Sequence, residues 1–236
     1  MNIKTIHQFT PSIAFGDSIS NGLLFTQKLL RQLGFESEIY VGINSIDIKF
    51  KHNVFHINQY TQSKNQILFY HHSIGHIHHD HIMKFQDQKI MIYHNITPTH
   101  FFKQNLRLSQ ACEKGRNQLS NAQSHFIASF ADSEYNCEEL VYYNYKNPTI
   151  LPILIDFDKQ SNIKADKKIM NKYSDSYNII FIGRIVQNKC QHQLIDVVYK
   201  LFLKNIKNIK LFIVGGVSQP LYFEYLKKYI KNLGLT

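Results

Sequence analysis

The sequence predicts an α/β protein in which a parallel β-sheet is covered by helices on both faces. Short apolar runs with little charge, such as residues 66–72 and 89–94, alternate with longer segments of helical periodicity. Apolar runs of this length are typical of strands that are buried on both faces, as the strands of parallel sheets are. The alternation stops near residue 155 and starts again near residue 177, which predicts a second domain.

The N-terminal part of the chain, residues 1–155, is assigned to one complete Rossmann-like domain with a parallel sheet. Its strands are predicted at residues 3–9, 37–41, 53–58, 66–72, 89–94, 125–130 and 149–155. Its helices are predicted after Gly22, over 98–119 and over 132–145. The first of these helices should bury Leu23, Leu24, Leu30 and Leu33 on one face.

The C-terminal part repeats the pattern but does not complete it. Residues 156–176 are rich in Lys, Asp, Asn and Ser, which predicts a linker. Residues 177–236 then begin a second Rossmann-like domain, with strands at 178–183 and 209–214 and helices at about 190–204 and 220–233. Two strands and two helices cannot form a complete doubly wound sheet. We therefore expect the first βαβα part of a second domain.

Composition and charge define the class of protein and leave its partners open. The 236 residues are 44% apolar, enough for a sizeable core, and the formal net charge is +10. A solvated lysine-rich surface accounts for this charge most simply, and attraction to anionic lipid headgroups is the next hypothesis. Nucleic acid is not expected as a partner, because no basic helix, zinc knuckle or RNP motif accompanies the charge.

The sequence shows no membrane-spanning or secretory segment. No run approaches about 18 uninterrupted apolar residues, and the N-terminus MNIKTIH lacks the apolar block of a signal peptide. The three cysteines have no C-x-x-C spacing, so a disulfide framework is not indicated. We expect a cytoplasmic protein, and the charge suggests peripheral association with the inner face of the cell membrane.

Several short segments combine a strand end with glycine or polar residues. In chain order they are 15–21 (FGDSISN), 93–98 (YHNITP), 131–136 (ADSEYN), 181–189 (FIGRIVQNK) and 213–216 (IVGG). In this order and spacing they resemble the retaining GT-B glycosyltransferases of family 4. The resemblance implies two Rossmann-like domains and a hexosyltransferase that moves a sugar from a nucleotide-sugar to a polysaccharide or lipid-linked acceptor, with retention of configuration.

The resemblance also implies a binding site for the diphosphate of the donor. The leaving diphosphate gains negative charge, which fixed cations and backbone N–H groups stabilise. Arg184 and Lys189, on the basic turn after the strand at 178–183, are expected to bind it, and Gly16 allows the backbone of the first domain to approach it. No metal and no other cofactor are expected, because Arg and Lys supply the charge and the sequence has no clear D-x-D pair.

The remaining site residues implied by the resemblance lie in the N-terminal domain. His94, at a strand end, is the expected catalytic residue, because its imidazole can polarise a sugar hydroxyl or donate a hydrogen bond near the reacting carbon. Asp17 and Asn21 are expected to contact the acceptor or the donor sugar.

One part of the family pattern falls outside this sequence. The family holds the donor sugar and ribose with a pair of glutamates separated by seven residues, and that segment would lie beyond Thr236. The resemblance thus implies a glycosyltransferase that truncation can inactivate: if no such segment is encoded downstream, we expect no measurable transfer by this chain alone. The alternative is a non-catalytic fragment or subunit of a split glycosyltransferase, with a complementary C-terminal fragment as its partner.

A histidine-rich stretch supports an alternative from another enzyme class. His76, His78, Asp80 and His81 spell the H-x-H-x-D-H signature of metallo-β-lactamase-like hydrolases, whose zinc ions activate water. Against this alternative, the sequence after His81 continues like a helix, and no Gly-His-Thr or similar segment downstream supplies further ligands. Adventitious metal binding or a solvated polar helix would also account for the stretch.

Overall fold

The structure is a computed structural model that describes residues 3–42, 50, 54–102, 105–206 and 208–235. The chain forms two compact units, Met1–Gln160 (unit 1) and Ser161–Thr236 (unit 2). The boundary between them lies inside segment 156–176, for which the sequence predicts a linker. The segment contains two short helices, Phe157–Ser161 and Lys167–Lys172.

Unit 1 is built on a seven-stranded sheet in which every pairing is parallel. The strands are β1 (Thr5–Thr10), β2 (Ile39–Val41), β3 (Val54–His56), β4 (Gln66–His72), β5 (Gln88–Tyr93), β6 (Ala128–Ala131) and β7 (Thr149–Ile150). Their order across the sheet is β3-β2-β1-β4-β5-β6-β7. The predicted doubly wound α/β fold is therefore confirmed, and the strand order reverses between β1 and β4.

The helices connect these strands and those of unit 2. They are α1 (Ser18–Gln32), α2 (His79–Met83), α3 (Leu106–Asn121), α4 (Glu134–Tyr142), α5 (Phe157–Ser161), α6 (Lys167–Lys172), α7 (Gln191–Leu203) and α8 (Pro220–Asn232). Unit 2 has two parallel strands, β8 (Tyr177–Ile182) and β9 (Ile209–Val214). The predicted bounds of β4 and β9 agree with the structure residue for residue.

The start of α1 differs from the prediction. The helix begins at Ser18, inside the segment predicted as a loop, because the Asp17 carboxylate accepts hydrogen bonds from the Ser20 backbone N–H and hydroxyl, both at 2.9 Å. Such N-caps satisfy backbone donors that the first helical turn leaves unpaired. Leu33, predicted on the buried face, follows the last helical residue and is 74% exposed.

Two other elements are shorter than predicted for identifiable reasons. The helix predicted from residue 98 begins at Leu106, because the Asn105 side chain caps it by accepting from the Leu108 N–H at 3.1 Å. The strand predicted over 149–155 pairs with β6 only at Thr149–Ile150. Pro152 has no N–H to continue the ladder, so the chain leaves the sheet.

The sheet of unit 1 is buried on both faces. Tyr40 belongs to a large cluster that also contains Phe9 and Tyr70, whereas its neighbours Ile39 and Val41 pack with Leu23 of α1 and with Val54 in a second cluster. Because successive side chains of a strand point to opposite faces, the two clusters lie on opposite sides of the sheet.

Unit 2 has one covered face and one open face. Ile185, Ile195 and Leu226 form its buried core, with half-buried side chains of β9 and α8 packed around them. On the other face Ile180 and Ile182 are 62% and 75% exposed. The two-stranded sheet therefore has a single helical layer within the described residues.

Candidate functional site

Polar side chains collect at the carboxyl edge of the sheet in unit 1. His71 and His72 are the last residues of β4, His94 follows β5, and Asp132 follows β6. Parallel strands end at the same edge, so these residues are brought together although they are far apart in sequence. Ligands of doubly wound sheets bind at this edge near the point where the strand order reverses, which here is between β1 and β4.

A chain of hydrogen bonds joins Asp132, His94 and His71. His94 Nδ1 lies 3.0 Å from both carboxylate oxygens of Asp132, and His94 Nε2 lies 2.7 Å from His71 Nδ1. Because the carboxylate accepts, His94 Nδ1 carries a proton, and in the neutral imidazole His94 Nε2 accepts the hydrogen bond that His71 Nδ1 donates. His71 then presents a lone pair on Nε2, which is buried and has no hydrogen-bond partner among the described residues.

The same three residues border an apolar cavity of about 130 Å³. Its other walls come from β4, β5, α1 and the segment after β7, namely Phe69, Ile92, Ile19, Gly22, Leu23, Thr26 and Leu151, Pro152, Ile153, Leu154. Gly22 permits this packing, since a Cβ there would lie 2.9 Å from the Ile153 side chain. Burial, with a smaller contribution from His94, lowers the pKa of His71 well below 6.5 and keeps it uncharged at neutral pH.

The predicted site residues Gly16, Asp17 and Asn21 lie together at the start of α1, apart from this cavity. Asp17 is the N-cap of the helix, and Asn21 is exposed in its first turn. Gly16 has φ +76°, a left-handed conformation that favours glycine, and an added Cβ would meet no atom within 4 Å among the described residues. The turn therefore leaves an open backbone surface beside Gly16.

In unit 2 the predicted residues Arg184 and Lys189 flank the loop between β8 and α7. Both side chains are exposed and neither forms an ion pair within the described part of the chain. Gln191 Nε2 donates to the Arg184 carbonyl at 2.9 Å and fixes the loop against the helix. Helix α7 begins at Gln191 without a cap from the Cys190 side chain, and the His192 N–H donates instead to the Tyr222 hydroxyl at 3.2 Å.

Two glycines bring the strand ends of unit 2 close together beside this loop. A Cβ on Gly215, which has φ +156°, would lie 2.0 Å from the Gly183 carbonyl oxygen. The Gly183 N–H donates to the Val214 carbonyl, and the Ile185 N–H donates to the Gly216 carbonyl, both at 2.9 Å. The position of Arg184 is therefore set by backbone contacts that a larger residue at 215 would break.

A second group of histidines lies deeper in unit 1. His72, His76 and His79 each offer a ring nitrogen, and these nitrogens lie within 4.8 Å of one another. The Tyr70 hydroxyl lies between two of the rings, 2.6 Å from His76 Nε2 and 2.7 Å from His79 Nδ1. Burial lowers the pKa of His72 and His79 to about 4 and that of His76 to about 2, so all three are uncharged at neutral pH.

The H-x-H-x-D-H signature does not assemble as a metal site. His76 contacts Tyr70, whereas His78 Nε2 donates to the Gly42 carbonyl at 3.1 Å. Asp80 and His81 lie on α2 and are exposed. The metallo-β-lactamase alternative therefore has no support.

Sequence reasoning misses His71 and Asp132, the two residues that are hydrogen-bonded to His94. The sequence assigns the segment 132–134 to the cap of the helix after β6, and within it Ser133 is the cap, accepting from the Asn136 N–H at 3.3 Å, which leaves Asp132 to contact His94. It offers no role for His71 beyond membership of the histidine-rich stretch. A usable signal is present, because both residues end predicted strands next to the strand that precedes His94.

Comparison with known proteins gives a family match for the C-terminal part and shows the fold of the chain. Residues 162–236 match the family described as Glycosyl transferases group 1, and a search of curated proteins gives no match. A glycosyltransferase from Rickettsia africae ESF-5 aligns with TM-score 0.63 and 17% identity, covering 100% of this chain and 66% of that protein. The Anabaena protein Alr3699/HepE, solved in complex with UDP and glucose, aligns with TM-score 0.59 and 12% identity, covering 99% of this chain and 67% of that protein.

An alpha-glucosyltransferase solved in complex with UDP-glucose and DNA containing an abasic site has TM-score 0.51 and 14% identity, covering 99% of this chain and 61% of that protein. With such a neighbour, the expectation that nucleic acid is not a partner has no support. The chain spans about two thirds of the length of the structures it matches. The fold is that of GT-B proteins, and together with the family match it indicates a glycosyltransferase. No helix in the described residues is long and apolar enough to cross a membrane.

Proposed function

We propose that this chain transfers a sugar from a nucleotide-sugar to a hydroxyl of a polysaccharide or lipid-linked acceptor, with retention and without a metal ion in the transfer. The bond from the sugar C1 to the diphosphate oxygen breaks, the acceptor oxygen bonds to C1, and the hydroxyl proton leaves with the nucleoside diphosphate. The family match of residues 162–236 and a structural neighbour solved with UDP and glucose support this proposal.

The observation that carries the proposal is the pair of exposed cations beside the start of α7. Arg184 follows β8 and Lys189 precedes the helix, so the two cations lie at the two ends of one short loop. A diphosphate needs charge-assisted hydrogen bonds and gains most from donors that are already in position. We assign Arg184 and Lys189 to the donor diphosphate, and Gly16 to its approach in unit 1.

We assign His94 to contact with a sugar hydroxyl, and its hydrogen bonds set a condition on that contact. Its side chain is 5% exposed, and its two ring nitrogens already contact Asp132 and His71. A hydroxyl that binds His94 Nε2 must therefore replace His71. Asp132 keeps the His94 ring oriented in both situations. Asp17 and Asn21 are assigned to the acceptor or the donor sugar.

Calorimetric titration with UDP, UMP and uridine tests the diphosphate assignment. We expect UDP to bind more tightly than uridine, and Arg184→Ala or Lys189→Ala to weaken UDP binding by about tenfold, as for loss of a charged hydrogen bond. Lys200→Ala is the matched control, because Lys200 is an exposed lysine at the other end of α7. Unchanged UDP binding in both site variants would contradict the assignment.

A second candidate function is that of a non-catalytic fragment or subunit of a split glycosyltransferase. The open face of the β8–β9 sheet favours it, because large exposed apolar patches mark surfaces that another segment covers. The proposed partner is a complementary C-terminal fragment. Under this candidate the chain alone transfers no sugar and the added fragment restores transfer. Turnover by the purified chain alone would rule it out.

We propose a cytoplasmic location with peripheral contact to the inner face of the membrane. The exposed lysines of α8, Lys227, Lys228 and Lys231, lie opposite the side chains that pack in unit 2 and suit anionic headgroups. Co-sedimentation with anionic vesicles, compared with zwitterionic ones, tests this location. A duplex DNA competitor reveals whether the lysines prefer nucleic acid.

A further inference from the structure

The buried histidines of unit 1 have ring orientations that suit a metal ion. The His72 Nε2–H donates to the Gly115 carbonyl at 2.9 Å, which fixes the tautomer and leaves a lone pair on His72 Nδ1. That nitrogen is buried and has no hydrogen-bond partner within the described residues. A histidine that donates one ring N–H to a backbone carbonyl and offers the other nitrogen is the usual arrangement of a metal ligand.

The other two rings share a single hydroxyl. Tyr70 Oη has one proton, so it can donate to only one of His76 Nε2 and His79 Nδ1 and must accept from the other. His76 Nδ1 is also buried without a partner among the described residues. Within the described residues, hydrogen bonding thus leaves two buried ring nitrogens, His72 Nδ1 and His76 Nδ1, unsatisfied, which is unfavourable for polar atoms.

The segment that carries the cluster is held in place independently of any ligand. Gly75, in the loop between β4 and α2, contacts α3 so closely that an added Cβ would lie 2.4 Å from the Gly115 backbone nitrogen. Gln118 then bridges the His76 backbone in both directions, accepting from its N–H at 3.1 Å and donating to its carbonyl at 2.7 Å. The rings are therefore presented from a rigid loop.

We propose that His72, His76, His79 and Tyr70 form a structural binding site for one zinc ion in unit 1. Three imidazoles suit zinc and similar transition-metal ions, whereas calcium and magnesium require mainly oxygen ligands. Tyr70 supplies the fourth donor as phenolate, and its proton is released to solvent when zinc binds. The ion binds the unpartnered His72 Nδ1 together with His76 Nε2 and His79 Nδ1, and it ties β4, α2 and, through Gly115, α3 together.

This site is separate from the proposed sugar transfer. His72 and His79 are 0% and 4% exposed, so a substrate does not reach an ion held between them. The residues also differ from the H-x-H-x-D-H signature, since His78 and His81 take no part. If the zinc site were disproved, the assignment of the diphosphate to unit 2 would still stand. If the diphosphate assignment were disproved, the zinc site would still stand.

Metal analysis of the tag-free chain, dialysed against a weak chelator, tests the proposal. We expect one equivalent of zinc per wild-type chain and loss of that zinc in His72→Gln and His79→Gln. The matched control is the double variant His78→Gln/His81→Gln, which removes two histidines of the same segment and should keep the zinc. Cobalt substituted for zinc should give the visible absorption of a four-coordinate site.

Three results would overturn the proposal: wild-type protein without stoichiometric metal, zinc retained in both ligand variants, or zinc lost in the control. If a ligand variant does not fold, measurements on the wild-type chain alone test the proposal. Added zinc must then raise its melting temperature, and added cobalt must give the visible absorption of a four-coordinate site. The Tyr70→Phe variant provides an independent check, because it has no phenol proton to release when zinc binds and should bind zinc more weakly than the wild type.

Discussion

At the carboxyl edge of its sheet, unit 1 encloses imidazoles and a carboxylate, whereas unit 2 presents an arginine and a lysine to solvent. The edge of unit 1 belongs to seven paired strands with apolar clusters on both faces. The edge of unit 2 belongs to two strands with one covered face. The same strand–loop–helix connection thus gives buried, hydrogen-bonded side chains in unit 1 and exposed cations in unit 2.

This difference separates two kinds of contribution to a site. Burial fixes the geometry of His71, His94 and Asp132 and keeps His71 uncharged. Exposure leaves Arg184 and Lys189 accessible to a diphosphate. We infer that unit 1 orients hydroxyl groups and that unit 2 supplies charge, and each prediction below tests one side of this contrast.

The largest effect is expected in the core of unit 1. Leu68→Ala removes a fully buried side chain and should lower the free energy of unfolding by about 2–5 kcal/mol. Ile182→Ala, on the open face of unit 2, should change it by less than about 0.5 kcal/mol. Urea unfolding measures both. Equal losses would show that the open face is covered in solution.

Removal of either cation in unit 2 should affect transfer rather than stability. In protein that transfers sugar, Arg184→Ala and Lys189→Ala should each lower kcat/KM by the equivalent of about 2–4 kcal/mol, as for loss of one preorganised charge contact. Lys200→Ala should leave kcat/KM unchanged. Wild-type kinetics in both site variants would remove the diphosphate assignment.

The close contact between the β4–α2 loop and α3 gives a smaller effect. Gly75→Ala places a Cβ against the Gly115 backbone and should destabilise unit 1 by about 1–3 kcal/mol. Gly216→Ala is the matched control, because a Cβ there meets no described atom within 4 Å. Thermal unfolding of both variants gives the comparison, and equal melting temperatures would mean that the loop moves aside.

The last effect concerns pH, measured with a chelator present. His72 and His79 have pKa values lowered to about 4 in the folded chain, against about 6.5 when unfolded. Between these values the unfolded chain binds more protons, so the free energy of unfolding should fall as pH drops below about 6.5, by up to about 1.4 kcal/mol per pH unit for each histidine. Urea midpoints between about pH 7.5 and 5.5 test this, and His79→Gln should flatten the slope. A rise in stability toward low pH would contradict the folded-state assignment.

Local signals in the sequence are enough to predict most of the sheet. Strands β4 and β9 are mainly apolar runs bounded by polar residues or glycine, so their limits follow from composition alone. The start of α1 does not follow in this way, because Asp17 lies in a glycine-containing stretch that is equally typical of a loop. Its role as a cap depends on where its carboxylate points, which the sequence does not specify.

The candidate site is predicted only in part because its contacts join distant strands. His94 is identified from its own segment, but its contact with His71 depends on the pairing of β4 with β5, and its contact with Asp132 on the pairing of β5 with β6. The cluster around Tyr70 escapes prediction for a related reason. The H-x-H-x-D-H spacing directs attention to His78 and His81, whereas the fold brings His72 to the group from the end of a strand.

The most direct test of the proposed donor site is an NMR titration of the isotope-labelled chain with UDP at millimolar concentration. The account predicts shifts concentrated in the amides of residues 183–191 and 215–216, abolished together by the double variant Arg184→Ala/Lys189→Ala. Shifts that spare this loop, or that persist unchanged in the double variant, would contradict the assignment of the donor diphosphate to unit 2.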